Sequence, residues 1–125
     1  MKNLITTLQL LLLSVISYSQ VYADAIVVTI GFRDNIYDEF TWDEDRILTE
    51  KLEVVIDGKD IIIYTEDVQF YQTLLPEYEA GENGTYWRAF DKDMKKCKIY
   101  LFSGVKNSLA IEYNDACIIY GIEFR

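Results

Sequence analysis

From Ala25 onward, apolar and polar positions alternate with a period of two, and no segment keeps a helical period for three turns. The run AIVVTIGF (25–32) predicts a first strand. KLEVVI (51–56) sets Leu52, Val54 and Ile56 against Lys51, Glu53 and Val55, and Asp57-Gly58 predicts a two-residue hairpin turn into IIIYT (61–65). Further strands are predicted over 68–75, 85–90, 97–103, 108–113 and 116–124. Pro76 is expected to end the 68–75 strand and to leave 76–84 as a polar loop. Residues 33–50 are acidic and aperiodic, and read as a long loop holding at most a short strand or a helical turn. About eight short strands, with turns every 8–12 residues or so, predict an all-β fold. The expected architecture is a small antiparallel meander closing into a barrel or sandwich.

Two runs, Ile61–Ile63 and Ile118–Ile122, are apolar at adjacent positions as well as alternate ones. A sheet wetted on one face alternates more cleanly. The second face is therefore covered in part, by the 33–50 segment, a partner or a second copy, or it carries bulky side chains of central strands.

The same patterning bears on the two cysteines. A two-residue turn at Asn114-Asp115 places Ile111 opposite Ile118 and Glu112 opposite Cys117. If Ile99 and Leu101 share the face of Leu109, Cys97 points away from Cys117. In the other register strand 108–113 still separates them, and two strand spacings of ~9.6 Å exceed the ~7 Å reach of a disulfide. Cys97 and Cys117 are expected to be unpaired.

The first twenty residues stand apart. MKN is a short basic start, LITTLQLLLLSVI an apolar run and SYSQ a small polar exit, the layout of a signal peptide. The expected division is a signal peptide over 1–20, with cleavage as late as 23, and one β-domain over 21–125. This layout predicts export to the periplasm or beyond, with no membrane insertion after processing. Removing it takes away Lys2 and no acid, leaving 11 basic against 21 acidic residues. Such a surface repels phosphate backbones and anionic headgroups, so nucleic acid is a poor partner.

There is no histidine. Ser-His-Asp and Cys-His nucleophile systems and His-containing metal sites are thereby excluded. Carboxylate-only chemistry survives: Asp43, Glu44 and Asp45, or Asp91 and Asp93, are the acids a glycosidic cleavage would use. The acids Asp34, Asp38, Glu39, Asp43, Glu44 and Asp45 also suit calcium by ligand type, but the EF-hand order and its glycine are missing. No cofactor or metal is expected. Ten tyrosines and two tryptophans are a large aromatic share for this length. Trp42 and Trp87 flank the acidic segments, and aromatic residues beside acids suit a protein-binding patch.

One resemblance can be set beside this reading. Gly58, Ile62, Tyr64 and Thr65, then Gln69 and Tyr71, Asp91 and Asp93, Cys97 and Ile99, and finally Tyr113, Asp115, Tyr120 and Ile122 form a succession of strand-and-turn strings. Over roughly 55–122 the chain resembles a set of short, uncharacterised all-β proteins of Bacteroidota, exported or cytosolic. The resemblance implies an all-β fold and no particular activity. The expected function is therefore binding without catalysis, in its sharper form an acidic inhibitor or immunity-type protein for a basic exported partner. The expected contacts are Asp34, Asp38, Glu39, Trp42, Asp43, Glu44, Asp45 and Trp87, and a homo-oligomer is compatible with the same surface. The alternative is a small carbohydrate-binding or carboxylate-dependent hydrolase domain.

Overall fold

The computed structural model describes residues 20–34, 39–104 and 106–125; residues 1–19 of the expected signal peptide and Asp38 fall outside them, as does the side chain of Asp34. Among the described residues nine strands form one antiparallel sheet: β1 (Val21–Asp34), β2 (Glu39–Trp42), β3 (Arg46–Asp57), β4 (Asp60–Ile63), β5 (Gln69–Glu79), β6 (Gly84–Asp91), β7 (Lys96–Phe102), β8 (Asn107–Glu112) and β9 (Ala116–Phe124). The order is β2-β1-β3-β4-β5-β6-β7-β8-β9, and β1 also pairs with β9. Eight strands therefore close into a meander barrel, with β2 as a ninth strand outside the ring.

Alternation decides what fills the barrel. Val54, Ile63, Ile99, Leu109 and Ile111 point inward and are fully buried. β1 contributes the small residues Ala23 and Ala25 to the same core, which leaves room for the branched side chains facing them. The Asn114-Asp115 turn gives the register it predicts, with Ile111 opposite Ile118 and Glu112 opposite Cys117. Ile99 pairs with Ile111 and Leu101 with Leu109. Cys97 accordingly faces the interior, whereas Cys117 lies on the outer face, two strands away. Both thiols are free and buried. Burial, assisted by Asp91, pushes Cys97 up to about 12, and burial with Glu112 pushes Cys117 up to about 11.

Three expectations are corrected. Residues 33–50 are not a loop: β1 runs to Asp34, and β2 and the first part of β3 follow one another antiparallel to it. The pairs Gly31–Trp42, Val28–Arg46 and Ala25–Leu52 mark this run, and a three-residue step on β1 faces a six-residue step on β3. These residues are mostly exposed on both faces. Backbone bonds to β1 hold them where buried side chains do not, so no period marks them. Second, Pro76 does not end β5, because it falls in a register shift between Leu74 and Tyr78 where no ladder donor is required. Third, the β3–β4 turn sits one residue later than Asp57-Gly58. Asp57 pairs with Asp60, and Gly58 takes φ 59° at the first central position, as a type II′ turn demands.

The two ends of the barrel differ. One, the floor, carries the turns 64–68, 92–95 and 114–115. There the Tyr113 hydroxyl donates to Asp91 Oδ2 at 2.8 Å, and the Tyr71 hydroxyl donates to Gln69 Oε1 at 2.7 Å. Gln69 Nε2 donates to the Tyr120 hydroxyl at 3.5 Å. The backbone N–H groups of Asp93 and Lys95 each donate to Asp91 Oδ1 at 2.9 Å. Burial raises the Tyr71 and Tyr113 hydroxyls well above their ordinary value, so they stay protonated and able to donate.

Burial alone would raise the Asp91 carboxyl. The Lys95 N–H, the Tyr113 hydroxyl and the Asp93 N–H outweigh it and hold the group below its ordinary value. A carboxylate whose folded pKa is depressed stabilises the fold above the unfolded value of ~3.9, and that contribution is lost as pH falls through the folded pKa. Asp91→Asn should cost about 1 kcal/mol at neutral pH. In urea denaturation the gap from the unmodified protein should close below about pH 4, near the unfolded carboxyl value. A gap unchanged between neutral pH and strong acid would remove Asp91 from this role.

Candidate functional site

β2 is the one strand outside the closed ring. Among the described residues its only pairing partner is β1, so its other edge offers free backbone donors and acceptors. Native barrels have no such edge, and where one survives it is guarded by charge or used for binding. Here it is both charged and aromatic. Glu39, Asp43, Glu44 and Asp45 are exposed, and Trp42 is 45% exposed.

The segment is nonetheless firmly placed. The Asp43 N–H donates to the Ile30 carbonyl at 2.8 Å. The Thr29 hydroxyl donates to Asp45 Oδ1 at 2.5 Å, which ties one of the three acids to the barrel wall. Beside them the Arg33 guanidinium lies 4.6 Å over the Phe40 ring, and the Phe40 and Trp42 rings are 5.5 Å apart.

Trp42 owes its position to a glycine. It pairs with Gly31, which pairs on its other side with Cys117. A Cβ built at Gly31 would lie 2.6 Å from Trp42 Cε3 and 2.8 Å from Cζ3. Only the absence of a side chain lets the indole lie down on β1. The 33–50 segment thus covers part of the outer face, through this one ring.

Sequence reasoning grouped Trp87 with these residues, and the fold separates it. Trp87 pairs with Ile99 and therefore faces the interior, whereas Trp42 lies outside. Tyr78, Tyr86, Tyr100 and Phe102 line up across β5, β6 and β7 on the outer face, with successive ring centroids 4.9, 5.1 and 6.0 Å apart. Their rings are stacked on one another, so most ring faces are already occupied.

One feature had only a faint signal in the sequence. Arg88, Lys92, Lys95, Lys96 and Lys98 all fall on the β6–β7 hairpin. Arg88 and Lys98 lie over the Tyr78 and Tyr86 rings at 6.0 and 5.8 Å. In the ring of eight strands, β6 and β7 stand opposite β1 and β3. The molecule therefore has an acidic wall, with β2 on it, and a basic wall facing the other way. The turn DKDMKK was the only hint.

Among the described residues no group of three or more acids or cysteines is arranged to hold a metal ion. Gln69, Tyr71, Asp91, Tyr113 and Tyr120 meet in the floor network. No family model, curated protein or solved structure matches the chain.

The Gly31–Trp42 contact can be tested in a Trp87→Phe background, where Trp42 is the only emitter. Gly31→Ala should push the indole outward, because β2 is held by β1 alone. The emission should shift to the red and acrylamide quenching should rise, at a stability cost under about 1 kcal/mol. Unchanged quenching would show that the indole does not rest on Gly31.

Proposed function

We propose that this protein is a non-catalytic exported binding module whose recognition surface is the strand outside the barrel, and that its partner is a basic exported protein. One observation carries the reading. A strand outside the ring, paired on one edge alone among the described residues, presents a half-exposed Trp42 beside the exposed acids Asp43 and Glu44. A fixed aromatic ring amid charges has the make-up of an interface anchor with a polar rim.

Two further features support it. With 21 acidic against 12 basic residues, the whole chain attracts cations at a distance. The basic β6–β7 wall on the opposite side then turns the acidic wall toward a positive partner. Electrostatics of this kind act on the rate of encounter, while a packed ring acts on the lifetime of the complex.

Surface plasmon resonance against a panel of basic exported proteins tests the reading. Raising salt from ~20 to ~150 mM shortens the screening length from roughly 20 Å to 8 Å, so association should slow much more than dissociation speeds up. Asp43→Asn with Glu44→Gln should lower the on-rate and leave Asp45 bonded to Thr29. Trp42→Ala should mainly raise the off-rate, by about tenfold or more if it removes an anchor worth over 1.4 kcal/mol. Absence of any binder at ~20 mM salt, or binding indifferent to all three substitutions, would overturn it.

A further inference from the structure

The end of the barrel opposite the tyrosine floor is built differently. It carries the Gly58-Lys59 turn, the turn 80–83, Ser103 and Gly104 at the end of β7, and both Val21 and Arg125. Just inside it, inward-facing side chains from six successive strands surround a cleft of about 100 Å³: Ile56, Ile61, Thr73, Trp87, Leu101 and Leu109. Ile56, Trp87 and Leu101 are only half-buried, whereas Val54, Ile63, Ile99 and Ile111, nearer the floor, are completely buried. The core is solid below and incompletely filled above. Leu75 stands at the rim, 70% exposed.

The chemistry of the lining decides what this space can hold. By volume it would take about three waters, but a buried water needs two to four polar partners. Among the inward-facing side chains Thr73 brings a hydroxyl and Trp87 an indole N–H, and the Thr73 hydroxyl already donates to the Lys59 carbonyl at 2.8 Å. The Thr73 N–H donates to the same carbonyl, also at 2.8 Å. Both Thr73 donors are thus spent on one carbonyl. So apolar a lining offers water few partners, and its walls lack the dispersion contacts that a filled core would give them.

A charged ligand fits poorly. The one cation among the residues lining the cleft, Lys59, is flanked in the turn by Asp57 and Asp60. Those two acids cancel its attraction for an anion, while the apolar walls disfavour any ion.

We infer that the barrel mouth is a binding site for a small uncharged hydrophobe, an aliphatic group of about four or five carbons, with Trp87 as one wall. The size follows from volume, since an apolar cavity of about 150 Å³ accommodates benzene. This site is independent of the acidic hairpin, which lies at the other end of the barrel on its outer face. The mouths of β-barrels are a recurrent place for such sites.

Trp87 is the reporter. In a Trp42→Phe background it is the sole emitter, since the chain has two tryptophans. Titration with 1-pentanol should change its emission saturably, with a midpoint of about millimolar, the scale set by burying a few methylenes. Methanol at matched concentration should leave it unchanged. Leu101→Phe and Ile56→Phe fill the cleft from two different strands, and either variant that folds should weaken the response at least tenfold. Xenon NMR on the unmodified protein provides a second reading, in which the bound xenon shift should saturate. N-acetyl-leucinamide distinguishes a free hydrophobe from a side chain of a protein: weaker binding than pentanol supports the former, and tighter binding overturns it. An emission change that stays linear to the solubility limit, or a midpoint unmoved in a folded filled variant, would overturn the site itself.

Discussion

The ladder between β1 and β9 joins the two ends of the chain. Nine residue pairs, from Ala23–Phe124 to Phe32–Ala116, convert a meander that would have two edges into a closed ring. Every side chain of the interior depends on that closure, because the interior exists only when all eight strands surround it. A single extra residue on β1, between Ala25 and Val27, bends the strand where it must serve both β9 and β3. The Arg125–Asp24 ion pair at 2.6 Å, in solvent, adds little to this seam beyond fixing the last residue.

Closure also explains why the remaining features are where they are. β1 is longer than the ring requires, and its far end is paired on one side by β2. The surplus leaves an unpaired strand edge beside the ring, with Trp42 on that strand and the acids Asp43, Glu44 and Asp45 just past it. Within the ring the same asymmetry of length yields two unlike ends. The floor is sealed by hydroxyls and carboxylates that satisfy one another, so its polar atoms can be buried cheaply. The mouth has apolar walls and no such network.

What the sequence could reveal follows from these causes. β8 and β9 declare themselves as continuous apolar runs, buried in part on both faces, and a two-residue turn then fixes their register to the residue. β2 and the start of β3 have no buried face, so nothing in their side chains betrays a strand. The floor network was invisible for another reason: Gln69, Asp91 and Tyr113 are far apart along the chain and meet only when the barrel closes. Charge was legible as a cluster of acids, but the side of the wall on which an aromatic falls was not. Trp87 looks like a neighbour of the acidic loop and turns out to face the interior, because the β6–β7 register decides its direction.

Native-state hydrogen exchange tests the central claim that one seam supports the whole fold. Amides of β1 over 25–32 and of β9 over 116–123 should exchange only through global unfolding, at the same free energy as those of β7 and β8. Amides of β2 over 39–42 should exchange by local opening, at a free energy several kcal/mol lower. Exchange of the β1–β9 seam well below the global value, with β7 and β8 still protected, would show that the barrel is stable open and would contradict the account.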